Sequence, residues 1–161
     1  MNIVYPIQNY DMNNVFFLDS KRNIIMDGKF SKINYSDTNI TLNGIFLSTP
    51  FQVKNFENIM NKYILKFDTF NETNIEISRK LIQIEKMLID NYIITNSSKK
   101  RPFYLLREQL ENGSVKLYRD CNILNSNISK PVFILKISGI WENNENIGLT
   151  YKFIEVYQCC F

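Results

Sequence analysis

Two long alternating runs close the chain, Val132–Trp141 and Ile147–Cys159, joined by the polar stretch Glu142-Asn143-Asn144-Glu145-Asn146. Successive side chains of an extended backbone point to opposite faces, so such runs commit the chain to a sheet with one buried side. Phe133, Leu135, Ile137 and Gly139 fall on one face of the first run. Leu149, Tyr151 and Phe153 share a face of the second. A lone hairpin is marginal in water and needs further strands or a helix to pack on.

The upstream sequence supplies both. Val15–Leu18 and Ile24–Tyr35 read as strands, the second broken at Asp27-Gly28 by a bulge or turn. Ile40–Ser48 resumes β character around Asn43-Gly44, as a tight hairpin or one kinked strand. Tyr63–Phe67 alternates. Phe103–Leu110 and Val115–Tyr118 flank Glu111-Asn112-Gly113-Ser114 as a further predicted hairpin. One helix is expected, over Asn74–Tyr92. Thr73 and Glu76 have capping-box spacing, and Ile77, Leu81, Ile84, Leu88 and Tyr92 form an apolar stripe. The expected fold is a single domain over residues 1–161, mainly β with one helix, the helix lying on a small curved or closed sheet.

Composition narrows the function. With 45% hydrophobic and 22% charged residues the profile is globular, and no apolar run or leader-like N-terminus points to a membrane or to export. The expectation is a soluble, intracellular protein with no membrane partner. Cys121, Cys159 and Cys160 are an odd set and read as reduced thiols, and with no His a structural metal is not expected. The absence of His also removes the commonest general base, and the five glycines form no phosphate-cradling loop. Glu108/Glu111 and Glu142/Glu145 read as solvated turn charges. Cys121 near Arg119 is the sole nucleophile candidate. The chain is therefore read as a binding protein, not an enzyme, with no cofactor. The absence of Ala and the abundance of Asn, Ile and Lys fit an A/T-rich coding sequence, as in a virus, a parasite or a low-GC bacterium.

The phrase Lys136-Ile137-Ser138-Gly139-Ile140-Trp141-Glu142, a polar turn, then Ile147-Gly148-Leu149-Thr150-Tyr151-Lys152-Phe153 resembles the closing hairpin of a known family. These are the single-stranded-DNA-binding proteins of the phage T-seven type and their relatives in nucleocytoplasmic large DNA viruses. The resemblance covers Val132–Val156 by pattern and the rest by element order. It implies a small OB-like antiparallel barrel capped by a helix between early and late strands. It also implies a sequence-tolerant binder acting in viral DNA replication or repair, at replication sites in the host cytoplasm or nucleus. Replication proteins are implied as further partners, and a homo-oligomer is left open by the sequence. The family's acidic C-terminal tail has no counterpart in Val156-Tyr157-Gln158-Cys159-Cys160-Phe161, which keeps the aromatic last residue alone.

A single-strand site needs cations along the backbone path and flat rings for the bases. A net charge of +3 is mild, so the cations must be gathered locally. The candidate nucleic-acid-binding residues are Lys29, Lys32, Tyr35, Lys99, Lys100, Arg101, Tyr104, Tyr118, Arg119, Lys136, Trp141, Tyr151 and Lys152. Phe30, Phe103 and Phe153 are expected in the core, while Trp141 either packs the hairpin end or offers an exposed ring. The alternative is a virion structural or assembly protein, or an accessory subunit of a replication or transcription complex, using edge strands and aromatic surface for protein contacts.

Overall fold

The computed structural model describes residues 3–23, 27–60, 62–117 and 131–158. In chain order its elements are β1 (Tyr5–Pro6), β2 (Val15–Phe17), β3 (Lys21–Arg22), β4 (Lys29–Ser36), β5 (Thr41–Leu42), β6 (Ile45–Thr49), β7 (Val53–Ile59) and β8 (Lys62–Phe67). The helix α1 (Glu72–Asn96) follows, then β9 (Arg101–Phe103), α2 (Leu105–Glu111), β10 (Ser114–Leu117), β11 (Pro131–Glu142) and β12 (Asn146–Gln158). Among the described residues the protein is mainly β, as the alternation predicts, with two α-helices where one is expected.

The β11–β12 hairpin is the spine. Its turn is fixed by Asn143, whose side chain accepts N–H bonds from Glu145 and Asn146. The other side of β11 is shared by two antiparallel neighbours, β6 along Phe133–Ile137 and β4 along Gly139–Glu142. A bulge at Ser138 falls where the neighbour changes. It also shifts the alternation, so Gly139 leaves the face of Phe133, Leu135 and Ile137 that strict period two predicts for it. β12 continues to β10, β8 and β7, giving the path β1-β6-β11-β12-β10-β8-β7. The sheet is mixed, since β1 on β6, β9 on β12 and β10 on β12 run parallel. Among the described residues its end strands β1 and β7 do not pair, so the sheet does not close into a barrel. It does curl strongly. Flat strands would set β7 about 19 Å from β11 at the usual spacing, yet the Phe56 and Phe133 rings lie 6.2 Å apart.

α1 fills the concave side. Ile77, Leu81, Ile84, Leu88 and Tyr92 are all buried, joining Leu65, Phe133, Leu135, Ile137, Leu149 and Phe153 in one core. The helix begins earlier than the Thr73–Glu76 spacing suggests, because Asn71 is the cap and accepts the Asn74 N–H at 3.1 Å. Buried Asn74 in turn bonds the backbone of Gln52 and Asp68, anchoring the first turn to the β7 side.

Three local readings are corrected. Phe103–Leu110 is not a strand, since from Leu105 onward it is α2. Glu111–Ser114 is therefore the end of a helix and not a hairpin turn. Around Asn43-Gly44 the chain neither hairpins on itself nor runs on as one strand, because β5 pairs with β4 and β6 with β11.

Helix α2 carries no cap of its own at Tyr104. The cap comes from α1, where the fully buried Glu85 carboxylate accepts the N–H groups of Leu106 at 2.9 Å and Arg107 at 2.8 Å. Glu85→Ala leaves both donors unpaired and costs about 3 kcal/mol, read by urea denaturation. Burial raises the Glu85 pKa, while the two backbone donors from Arg107 and Leu106 pull it down. With the folded value above the unfolded one, folding takes up a proton. The contribution is thus fullest below the ordinary glutamate range and falls as pH rises through the raised folded value. Glu85→Gln, which cannot titrate, should remove that slope.

Candidate nucleic-acid interface

Opposed residues of a sheet share a face, so the registers show which side chains stand together. One row crosses five strands: Lys21 opposite Phe30, Phe30 opposite Trp141, Trp141 opposite Gly148, and Gly148 beside Phe103. None of these residues belongs to the core cluster, and the row lies on the sheet face away from α1. Two glycines let the rings lie against the backbone. A Cβ on Gly148 would come within 2.6 Å of the Trp141 indole, and one on Gly139 within 2.6 Å of the Phe30 ring. The Phe103 and Trp141 centroids are 6.2 Å apart, and Phe103 is 38% exposed.

The same registers place cations around this row. Lys32 stands opposite Gly139, Arg101 beside Asn146, and Lys136 opposite Lys152. Because Leu117 pairs with Phe153 in the core, Lys116 and Lys152 share the outer face. Lys136 reaches its ammonium over the buried Phe46 ring, 5.1 Å from the centroid. Toward the β7 edge, Glu57 is held by Lys66 at 3.7 Å.

Five of the expected residues thus stand on one face: Lys32, Arg101, Lys136, Trp141 and Lys152. Others do not. Tyr35 is 1% exposed, and its hydroxyl accepts the Asp11 N–H, so it is a core ring and not a stacking platform. Tyr104 packs on the core, and its hydroxyl donates to Asp90 on α1. Burial, then the Asp90 charge, raises its pKa. Lys29 lies opposite Glu142, on the other side from Phe30. Lys100 is engaged with Glu142 at 3.6 Å. Lys99 is exposed in the loop before β9, and Tyr118 and Arg119 lie outside the described residues. Conversely, Phe30 and Phe103, expected in the core, lie on the outer face, Phe30 half-buried and Phe103 exposed, whereas Phe153 is fully buried. Lys21 and Lys116 join the face without having been expected there. Their signal is register, which becomes readable once strand pairing is known.

Tyr151 occupies a third position. β9 leaves β12 after Gly148 and β10 joins it at Phe153, so the β12 edge between them meets α2 instead of a strand. A cleft of about 550 Å³ follows this seam. Trp141, Thr150, Lys152 and Lys116 line it on the outer side, and Leu105, Gln109 and Tyr151 line it on the α2 side.

Comparison with family models, with curated proteins and with solved structures finds no match. Among the described residues no cluster of acidic and Cys side chains could hold a metal ion. No helix there is long and apolar enough to cross a membrane.

Proposed function

We propose that this protein binds single-stranded nucleic acid, without strong sequence preference, across the outer face of its sheet. The observation that carries the reading is the in-register row of Phe30, Trp141 and Phe103, bordered by Lys21, Lys32, Arg101, Lys116, Lys136 and Lys152. Rings held flat on glycine offer stacking surfaces that any base fits, and the ammonium and guanidinium groups meet the phosphates between them. DNA is the proposed strand and viral replication or repair the proposed setting, on the strength of the closing-hairpin resemblance. The OB-like reading belongs to the same proposal. Its support is the strong curl of the sheet and the position of α1 between early and late strands. The proposed binding is non-catalytic, in keeping with a sequence that carries no His.

Fluorescence anisotropy with a labelled oligo-dT tests this. Binding should appear at low salt and weaken on a log–log plot by about 0.7 per phosphate neutralised. No binding at low salt rejects the reading.

A second reading, protein contact in an assembly or accessory complex, is favoured by the β7 edge. Phe56, Ile59 and Met60 are exposed there, Met60 to 91%, on a strand that among the described residues pairs on one side alone. That role predicts self-assembly or partner capture with indifference to oligonucleotides at moderate salt.

A further inference from the structure

Among the described residues, two buried side-chain polar atoms lack a hydrogen-bond partner, Gln109 Oε1 and Tyr151 Oη. Both residues line the same cleft beside Trp141. Buried polar atoms are nearly always paired, so two orphans converging from α2 and β12 on one cleft call for a ligand that pairs them. We propose that this cleft receives one base of the bound strand, and that Gln109 and Tyr151 hydrogen-bond its edge, favouring bases with an exocyclic amino group. The inference rests on the single-strand reading of the adjoining face and adds base selectivity to it.

The chemistry sets the preference. Gln109 Oε1 is an acceptor and requires an N–H donor. Burial, followed by the Glu85 and Glu108 charges, keeps the Tyr151 phenol protonated, so Oη can donate to a ring nitrogen or carbonyl. Adenine and cytosine each place an amino donor next to an acceptor on one edge, the pattern that a glutamine amide recognises. Thymine has no amino group. The cleft volume lies within the range of small-molecule sites. Leu105, Leu117 and Leu149 give it apolar walls, with the indole at its mouth. Single-strand readers commonly splay a base out of the stack in this way. Both polar atoms are closed over in the free protein, so entry of the base includes a rotation of the half-buried Gln109 side chain.

The test uses the full chain and labelled oligo-dA, oligo-dC and oligo-dT of equal length, read by anisotropy. The first two should bind about tenfold tighter than the third. Tyr151→Phe and Gln109→Leu should each bring oligo-dA and oligo-dC close to oligo-dT, with the Tyr151→Phe protein melting no lower than the parent. Should Gln109→Leu fail to fold, Tyr151→Phe alone decides. Equal affinities in the parent, or a preference that survives Tyr151→Phe, would overturn the base pocket and leave the single-strand reading standing. Failure of all three oligonucleotides to bind would overturn both. Displacement of oligo-dA by free dAMP at comparable concentration would overturn a strand-borne base.

Discussion

Leu88→Asp should abolish cooperative folding, whereas Met87→Asp, one position away on the same helix, should melt close to the parent. Leu88 is fully buried on α1 in the stripe that meets β11 and β12, while Met87 is 38% exposed. Truncating a buried leucine costs about 2–5 kcal/mol from lost contacts and cavity alone. A carboxylate in that position adds the penalty of an unpaired buried charge. Together these match or exceed the roughly 5–15 kcal/mol that holds a domain folded. Both substitutions lower helix propensity alike, so their difference isolates burial. Met87→Asp should lose no more than about 1 kcal/mol. Thermal melts followed by circular dichroism check this. A cooperative, near-parental melt for Leu88→Asp would show that α1 is not the core's second layer.

The second large effect concerns binding. Trp141→Ala should weaken oligo-dT affinity by roughly 5- to 150-fold, the equivalent of about 1–3 kcal/mol for one base stack, with little change in the salt slope. Lys116→Ala/Lys136→Ala/Lys152→Ala should flatten the slope by about 2, the loss of three phosphate contacts at about 0.7 each. The two variants thus fail in different ways, one in stacking and one in charge. Lys99→Ala/Lys100→Ala/Arg101→Ala serves as a comparison. Arg101 stands on the proposed face, Lys100 faces Glu142, and Lys99 stands in the adjoining loop, so it should flatten the slope less. A larger loss there than at the Lys116 group would move the strand path to the α1–β9 loop.

Much of the fold is legible in the sequence because long elements repeat their signal. The β11–β12 alternation and the α1 stripe each recur often enough to identify element and buried face. Short elements lack that redundancy. In β7, the apolar Val53, Phe56 and Ile59 are spaced by three, which hides the end strand of the sheet path. In α2, seven residues give no period, and the capping group is Glu85 on α1, which no local motif records.

The site was half legible for a related reason. Residue type marked Trp141, Lys136 and Lys152 as candidates, but which face a ring takes depends on pairing and on one bulge. Ser138 turns Gly139 and Trp141 outward from a strand whose earlier odd-numbered residues are core. The same shift brings Trp141 into line with Phe30 and Phe103, rings whose type alone suggests burial. Tyr35 and Tyr104 go the other way, because partners distant in sequence, Asp11 and Asp90, bond their hydroxyls.

Trp141 is the single tryptophan of the chain, so its emission reports on this face alone. Titration with an unlabelled single-stranded oligonucleotide at low salt should quench that emission as a base stacks on the indole, and added salt should restore it. Emission that stays unchanged while anisotropy registers binding would place the strand elsewhere on the molecule and contradict the aromatic row as its track.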